Sequence, residues 1–307
     1  MFPSSNPRAG SANTANAPAE LAKPSPERSL GLAPAPLDPL PAGRTLVMGI
    51  LNLTPDSFSD GGRFDRPSAA LAQASRLLAQ GADLLDLGGQ SSRPGAVRIS
   101  TEAELERVVP MVRAIRQLHP QAVLSVDTDR AAVAAAALAA GAQWLNDVSG
   151  GRRDPDILAV AAAVGCPYVL MHSRGDSLSM DRLAIYGDVV AEVRQELMAA
   201  TDLALAAGIA PQRIIWDPGI GFAKTTAQNL ALLKGLGELR REGFPLLVGP
   251  SRKRFIGEVL QQPRPRARLW GTAAVCAQAI GAGAQILRVH DVGAIVQVAR
   301  MADALRA

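Results

Sequence analysis

The sequence predicts an α/β protein: a (β/α)8 TIM barrel over residues 44–307, preceded by a disordered tail rich in Pro and Ala. Two observations lead to this prediction. Short apolar runs recur along the chain, and runs of this length bounded by Gly, Pro or polar residues are typical of strands buried on both faces. A helical stretch follows each run, and eight such pairs over about 260 residues have the usual size of a closed barrel.

A doubly wound open sheet is the alternative architecture. It is less favoured, because the first turn contains no Gly-x-Gly-x-x-Gly sequence and the strand–helix pairs number eight.

The first predicted strand shows the pattern that the others repeat. It is an apolar run with Asn52 near its end, and Pro55, which cannot donate to a strand ladder, closes it. A polar loop follows. The predicted strands span residues 45–52, 83–87, 123–127, 144–148, 168–172, 214–217, 246–249 and 285–289.

Helices are predicted where apolar residues recur every three to four positions. The second helix begins at Ser100 or Thr101, and Glu104 completes a capping-box pattern there. The other helices are predicted at residues 68–80, up to 140, 155–164, up to 207, around 230–233, from 251, 267–280 and 292–305.

Residues 1–43 differ in composition from the rest of the chain. Nine are Pro, nine are Ala, and no hydrophobic period is visible, which predicts a disordered tail. The start lacks the basic-then-apolar order of a signal peptide, so we expect a cytoplasmic protein. A transit peptide is a weaker interpretation, since Glu20, Glu27 and Asp38 break its acid-poor pattern.

Charge and hydropathy exclude several classes of partner. The net charge is +4, but the cations are scattered, so we expect no nucleic-acid partner. There is no apolar run of about 18 residues, so no membrane span is predicted. Cys166 and Cys276 lie far apart in apolar helical surroundings, which indicates core packing rather than a disulfide or metal site.

Polar residues stand at the carboxyl ends of the predicted strands, where buried parallel strands are otherwise apolar. Any one of them, Asp86 especially, could instead make a structural hydrogen bond. Their recurrence at one rim of a barrel predicts a polar ligand there. The set is Asn52, Asp86, Asp127, Asn146, Asp147, His172, Asp217, Arg288 and His290.

The residue types indicate the chemistry of that ligand. Carboxylates, an amide and a lysine suit a flat heterocycle with both N–H and C=O edges, and a carboxylate such as Asp217 can accept from an amino group and a ring N–H together. Arg and His near the rim suit phosphate oxygens. Asn52 offers the kind of oxygen that Mg²⁺ accepts beside phosphates.

Eight segments carry a resemblance to a known family. They occur in that family's order, one at each strand end: GILNLTPDSFSDGG, DLGGQSSRPGA, SVDT, NDVSGG, MHSRG, DPGIGFAKT, GPSRKRFIG and RVHDV. Over residues 44–305 the chain resembles the dihydropteroate synthases, pterin-binding TIM barrels. The resemblance implies condensation of 6-hydroxymethyl-7,8-dihydropterin diphosphate with 4-aminobenzoate, giving 7,8-dihydropteroate and diphosphate in folate biosynthesis.

The resemblance also implies roles for individual residues. The pterin ring would be held by Asp127, Asn146, Met171, Asp217, Lys253 and Arg288. The diphosphate would be held by Asn52, Ser92, Arg93, Arg288 and His290, with Mg²⁺ at Asn52. The aminobenzoate pocket would include Phe58, Asp60, Arg93, Pro94, Phe222 and Arg254. The residues expected to act in catalysis are Lys253, Asp127, Arg288 and His290.

The sequence departs from the family pattern at a few positions. Gln90 stands where Glu is frequent, and Ser92, which keeps the hydroxyl, where Thr is frequent. Residues 129–130 are Asp-Arg in place of Ser-Lys. Arg254 replaces a frequent Ser, and it could pair with the aminobenzoate carboxylate.

Two alternative functions stay open at this point. One is a methyltetrahydrofolate-dependent methyltransferase, which would use the pterin pocket but needs neither the TPDSFSD loop nor a diphosphate site. The other is a pterin-binding relative without turnover. The partners expected are the two small substrates and, by analogy with the family, a second copy in a homodimer whose face could come from the apolar last helices.

Overall fold

The fold is a ring of parallel strands surrounded by helices. The computed structural model describes residues 40–54, 66–91, 93 and 95–306, and these form eight parallel β-strands that alternate with helices. The strands are β1 (Leu46–Asn52), β2 (Leu84–Gly88), β3 (Val123–Asp127), β4 (Trp144–Asp147), β5 (Tyr168–Met171), β6 (Ile214–Asp217), β7 (Leu247–Val248) and β8 (Ile286–Val289).

The strand order identifies a barrel. Neighbours pair in the order β6-β5-β4-β3-β2-β1-β8-β7, and all pairings are parallel. A single bridge between Trp216 and Leu246 joins β6 to the β7 side and nearly closes the ring. Because this bridge joins the two ends of the strand order, the open-sheet alternative is excluded and the predicted TIM barrel is confirmed.

The helices pack outside this ring. They are α1 (Arg66–Ala79), α2 (Thr101–Leu118), α3 (Ala131–Ala139), α4 (Asp156–Val164), α5 (Val189–Ala206), α6 (Thr226–Lys234), α7 (Leu236–Arg240), α8 (Arg254–Leu260), α9 (Leu269–Gly281) and α10 (Val292–Arg306). Short 3-10 turns lie at Met180–Leu183, Pro211–Arg213 and Pro265–Arg268. α7 and these turns were not predicted from the sequence, and the predicted start of α8, residue 251, is three residues early.

The predicted capping box of α2 is wrong. Ser100 is the N-cap, and its hydroxyl accepts from the Ala103 backbone N–H at 3.1 Å. Glu104 is buried and does not turn back to the cap: Thr128 Oγ1 and an Arg130 guanidinium nitrogen each donate to it at 2.7 Å. Glu104 therefore ties α2 to the loop after β3.

Two apolar clusters hold the barrel together. The larger fills the space between the strands and the helices and includes both cysteines, and burial raises the pKa of each thiol to about 12. The smaller takes side chains from all eight strands, among them Leu46, Met48 and Trp144, and so fills the barrel interior. Leu40, inside the predicted tail, packs against this inner cluster.

The predicted tail lies almost wholly outside the described residues, which begin at Leu40. Within the part of the chain that is described, none of the helices is both long enough and apolar enough to cross a bilayer.

Candidate active site

Strand register brings the polar strand ends into one row. Asn52 pairs with Gly88, Gly88 with Asp127, and Asp127 with Asn146. The sheet in this way sets an amide, a carboxylate and a second amide on neighbouring strands at the same level. Asp217 stands level with Met171 at the ends of the next two strands. These placements follow from the parallel pairing alone.

Asp86 is a fully buried carboxylate that joins three elements of this rim. Ser125 Oγ donates to its Oδ1 at 2.6 Å, while Asn146 Nδ2 at 2.9 Å and Arg288 Nε at 2.6 Å both donate to Oδ2. Three donors compensate the cost of burying the charge. Asp86 therefore fixes the orientation of the Asn146 amide and of the Arg288 guanidinium.

Arg288 bridges two carboxylates. In addition to its bond to Asp86, its Nη2 donates to Asp127 Oδ2 at 2.6 Å. Burial by itself would lower the pKa of Arg288, but Asp86 and Asp127 together raise it above its usual value. Burial raises the pKa of Asp127 to about 7, with Arg288 acting in the opposite direction. The guanidinium is a fixed positive charge at the rim.

One polar atom in this region, Asn146 Oδ1, is buried and has no hydrogen-bond partner among the described residues. Two other predicted site residues carry charge. Asp217 accepts the Gly219 backbone N–H on Oδ1 at 2.7 Å, and Lys253 Nζ lies 3.9 Å from the Phe222 ring centroid. An unsatisfied buried polar atom such as Asn146 Oδ1 is rare in proteins and indicates a ligand.

The charged groups of this region influence one another's pKa values. Burial lowers the pKa of Lys253 to about 8, with Asp217 and Asp127 raising it and Arg288 lowering it. Burial raises the pKa of Asp217, and Lys253 and Arg288 act against that rise. Residues from β3, β6, β8 and the loop after β7 thus interact electrostatically. A cavity of ≈ 80 Å³ opens beside Asp127 and Phe222.

His290 follows β8 and is neutral at physiological pH. Burial, together with the charges of Arg252 and Arg288, lowers its pKa to about 3. Ser251 Oγ accepts the His290 backbone N–H at 3.1 Å and lies 3.0 Å from its Nδ1. The Ser251 hydroxyl can donate its own proton to Nδ1 in the tautomer whose ring proton is on Nε2. In that tautomer His290 presents a neutral Nε2–H donor.

Comparison with known proteins decides the family. Residues 48–290 match the family of pterin binding enzymes. The chain belongs to this family. The dihydropteroate synthase of Synechocystis sp. is 54% identical over 275 residues, which cover 87% of this chain and 95% of that protein.

Solved structures of pterin-binding enzymes superpose on this one. Xanthomonas albilineans dihydropteroate synthase with 4-aminobenzoic acid gives a TM-score of 0.81 at 45% identity, covering 86% of this chain and 94% of that one. The enzyme from the same organism in complex with 7,8-dihydropteroate gives 0.78 at 42% identity and the same coverage. The predicted membership of the dihydropteroate synthase family is confirmed.

Several predicted site residues of this pterin-binding enzyme lie outside the hydrogen-bonded group of Asp127, Asn146 and Arg288. Arg93 is exposed, and Arg254 is exposed at the start of α8 with both terminal nitrogens 3.0 Å from the Asp181 carboxylate. Asn52 is half-buried at the end of β1, and Met171 is buried. Phe58, Asp60, Ser92 and Pro94 lie outside the described residues.

The departures from the family pattern make local contacts. Gln90 Nε2 donates to the carbonyls of Ser91 at 2.9 Å and Val97 at 3.2 Å, and its Oε1 accepts the Ile99 N–H at 2.8 Å. A glutamate could not donate both of those bonds. Asp129 pairs with Arg98 and Arg153, at 2.5 Å each. Gln90 and Asp129 therefore shape the loops beside the cavity.

The parts of the site that act through other residues were not predicted from the sequence. They are the contact of Ser251 with His290, the contact of Asp86 with Arg288, and Lys224, which is buried behind the loop after β6. Lysine is almost never buried without partners, so the burial of Lys224 is the structural signal of a role.

Proposed function

We infer that this chain is a dihydropteroate synthase, a transferase that condenses 6-hydroxymethyl-7,8-dihydropterin diphosphate with 4-aminobenzoate in folate biosynthesis. One observation carries this inference beyond family membership. Asn146 Oδ1 is buried without a partner among the described residues, and the set around it includes the mutually interacting charges of Asp217, Lys253 and Arg288 and the neutral His290 imidazole. That set complements a heterocycle bearing a diphosphate.

The pterin ring would bind Asp217, Asn146 and Lys253. Asp217 Oδ2 would accept from the ring's amino and N–H edge, Asn146 Oδ1 would accept another N–H, and the Lys253 ammonium would donate to the ring's carbonyl or nitrogen acceptors. Met171 would contact the ring at the end of β5. Asp86 would serve this set indirectly by holding the Asn146 amide.

The diphosphate would lie on the opposite part of the rim. Arg288 supplies a fixed positive charge and His290 a neutral Nε2–H donor, both suited to oxygens that gain charge as they leave. Asn52, Ser92 and Arg93 would complete this set. Before the diphosphate binds, His290 is neutral, because burial and the charges of Arg252 and Arg288 lower its pKa to about 3.

Mg²⁺ would accompany the diphosphate, with Asn52 as the protein ligand. The described residues contain no group of three or more His, Cys, Asp or Glu side chains that could hold a metal. This fits an ion that is held mainly by phosphate oxygens and water, as Mg²⁺ commonly is. Bound there, the ion would neutralise charge on the leaving group.

The aminobenzoate would be the nucleophile at the substrate's CH₂ group. Its amine is neutral and already nucleophilic at pH 7, so no strong general base is needed. As the carbon–oxygen bond breaks, positive charge develops on the pterin, and the Asp127 and Asp217 carboxylates stabilise it. Phe58, Asp60, Arg93, Pro94, Phe222 and Arg254 would form the aminobenzoate pocket, where Arg254 must exchange Asp181 for the substrate carboxylate.

The direct experiment is an assay of the purified chain with both substrates and Mg²⁺. We expect diphosphate release and 7,8-dihydropteroate, and no condensation product when either substrate is left out. A chain that binds the pterin without releasing diphosphate would be the non-catalytic relative. Methyl transfer from methyltetrahydrofolate, with no diphosphate release, would identify the methyltransferase instead.

We also propose that the enzyme is a homodimer. Apolar side chains on α8, α9 and α10 are exposed, although these helices pack against one another. They are Val259, Leu260, Trp270, Met301 and Leu305. Exposed apolar groups on adjacent helices are typical of an association surface. Cytoplasmic location stays a prediction from the sequence.

A further inference from the structure

A buried lysine and a buried histidine lie side by side behind the site, and the reaction described above uses neither. Lys224 is 4% exposed and His172 is 0% exposed. The Lys224 Nζ lies 3.0 Å from His172 Nδ1. A lysine in this position requires three acceptors for its three protons, because an unpaired buried charge costs several kcal/mol, of order 3–5.

All three acceptors of Lys224 are present. Besides His172 Nδ1, the ammonium donates to the backbone carbonyls of Gly219 at 3.1 Å and Phe222 at 3.0 Å. Through these bonds the Lys224 side chain holds the backbone of the turn that runs from Asp217 to Lys224. Because Nδ1 accepts from an ammonium, the His172 proton must be on Nε2, which lies 3.0 Å from Glu196 Oε2.

The contacts of Lys224 and His172 continue to Glu196 on α5, one of the helices outside the ring of strands. Glu196 on α5 accepts from His172 Nε2 and from Arg174 Nε at 3.0 Å. The Arg174 guanidinium in turn lies 3.8 Å above the Tyr186 ring. Glu196, His172 and Lys224 thus form a continuous line from α5 to the turn after β6, which we call the Lys224 relay.

The turn that the relay holds carries two groups of the proposed site. Asp217 begins it, and Phe222, near its end, packs over Lys253. Its backbone is unusual: Gly219 has φ +67, and a Cβ there would lie 1.8 Å from the His172 carbonyl oxygen. Ala223 has a φ of 47, in the region that costs a non-glycine residue about 1–2 kcal/mol.

A second clamp acts on the other side of the same turn. Asn229 Oδ1 accepts the Gly221 N–H at 2.6 Å, and its Nδ2 donates to the Lys224 and Thr225 carbonyls at 3.1 and 2.8 Å. Asp217 Oδ1 fixes the beginning of the turn through Gly219. Asp217 and Asn229 therefore fix two backbone N–H groups of the turn, whereas the Lys224 side chain holds the Gly219 and Phe222 carbonyls.

We propose that Lys224, seated on His172, is a positioning residue for the amine substrate: it holds the Gly219–Phe222 turn so that the Phe222 ring stays over Lys253 and forms a wall of the aminobenzoate pocket. This proposal rests on the proposed function. The Lys224 ammonium makes no hydrogen bond to Asp217, Asn146 or Asp86 among the described residues, and the Gly219 N–H, Lys253 and Arg288 each affect the pKa of Asp217 more than Lys224 does. The pterin side of the site is therefore expected to remain intact without the ammonium.

The proposal separates the two substrates kinetically. In Lys224→Met, which keeps the length of the side chain without its charge, the KM for 4-aminobenzoate should rise about tenfold or more, and the KM for the pterin diphosphate should stay within about threefold. A purely structural lysine would instead lower the amount of folded enzyme and leave both KM values alone. Unchanged KM values, or equal rises in both, would overturn the proposal.

Histidine variants provide a rescue test. His172→Asn places an amide oxygen close to the position of Nδ1, so Lys224 keeps its acceptor and the aminobenzoate KM should stay within about threefold of wild type. His172→Leu removes the acceptor and should behave as Lys224→Met does. Equal behaviour of the Asn and Leu variants would contradict the relay.

A spectroscopic measurement keeps the proposal testable if the variants fail to fold, and does not require turnover. In ¹⁵N-histidine-labelled enzyme, His172 should show a protonated Nε2 and an unprotonated Nδ1 between about pH 6 and 9. The opposite tautomer, or a protonated ring, would refute the contact with Lys224. An inactive wild type with the expected tautomer would count against the proposed function while leaving the relay geometry standing.

Discussion

At the scale of single residues, the site depends on a carboxylate that does not face the ligand. Asp86 accepts from Ser125, Asn146 and Arg288, which lie 39, 60 and 202 positions away in the chain. The Asp86 carboxylate in this way fixes the orientation of the two predicted site residues, Asn146 and Arg288. Preorganisation of this kind means that the donors need not be reoriented when substrate binds.

Replacing Asp86 should therefore lower catalytic efficiency strongly, although Asp86 is fully buried and is not proposed to contact the substrate. In Asp86→Asn the amide cannot accept from all three donors, and Arg288 keeps Asp127 alone. We expect kcat/KM to fall about 100-fold, or roughly 2.7 kcal/mol, with a smaller change in the aminobenzoate KM. Steady-state kinetics on the folded variant measures this.

Ser125→Ala is the matched control. It removes one bond to Asp86 but leaves the pair with Arg288, so we expect a loss of about 1 kcal/mol in the free energy of unfolding and a kcat/KM close to wild type. If Asp86→Asn and Ser125→Ala had the same kcat/KM, Asp86 would be a structural residue only.

Lys253 sets the expected pH dependence. Burial lowers its pKa to about 8, so the ammonium is present below that pH and is lost as the pH rises through it. Since the pterin acceptors require a charged donor in this proposal, kcat/KM should fall above about pH 8. Lys253→Arg should remove this alkaline limb, because a guanidinium stays charged, even if its rate is lower.

The second buried lysine gives the control for this pH profile. Burial lowers the pKa of Lys224 to about 7, so its titration could also shape an alkaline limb. We expect Lys224→Met to keep the limb near pH 8. If Lys224→Met lost the alkaline limb and Lys253→Arg retained it, the limb would belong to Lys224, and its assignment to Lys253 would be wrong.

At the scale of secondary-structure elements, the strands were predictable and a few of the helices were not. β3 and β6 have the predicted bounds, because continuous apolar runs that end at polar residues have one interpretation in a buried sheet. α7 has only five residues, with Gly237 inside, and so shows no helical period. The α2 cap was wrong because Glu104 has buried partners in the loop after β3, which no local pattern encodes.

Replacing each of two glycines at α7 by alanine should change the stability in opposite directions. A Cβ at Gly235 would lie 2.6 and 2.8 Å from the methyl groups of Val190 on α5, so Gly235→Ala should lower the free energy of unfolding by about 1–3 kcal/mol. A Cβ at Gly237 would meet nothing within 4 Å, and Gly237→Ala should raise it by about 0.5–1 kcal/mol. Denaturant unfolding of both variants tests the packing of α7 against α5; equal effects would contradict it.

At the scale of the whole molecule, the barrel converts sequence distance into proximity. Asn52 and His290 stand near opposite ends of the family match, and the pairing of β1 with β8 brings their strands together. The strand-end pattern predicted that Asp86, Asp127, Asn146 and Arg288 lie together, and hydrogen bonds join them. His172, from the same pattern, instead contacts Lys224 and Glu196. The pattern could not predict how side chains pair, as with Arg254 and Asp181, 73 positions apart, because an exposed ion pair leaves no periodic signal.

The association surface is the last feature that belongs to this scale. Trp270 on α9 and Leu305 on α10 are each 78% exposed, and Met301 on α10 is 60% exposed. A stable interface usually buries about 800 Å² on each partner and gains most from aromatic residues at its centre. An indole exposed on one of two helices that pack together is a suitable centre for a two-fold contact.

We therefore expect Trp270→Lys to shift the protein from dimer to monomer in sedimentation-velocity experiments, because the substitution puts two like charges near a two-fold axis and removes the largest apolar side chain. Leu203→Lys is the matched control, since Leu203 is 60% exposed on α5, away from these helices, and should leave the dimer unchanged. A wild-type monomer, or a Trp270→Lys dimer of wild-type affinity, would place the association surface elsewhere. Because the proposed site is built from a single barrel, monomeric Trp270→Lys should retain turnover within about threefold.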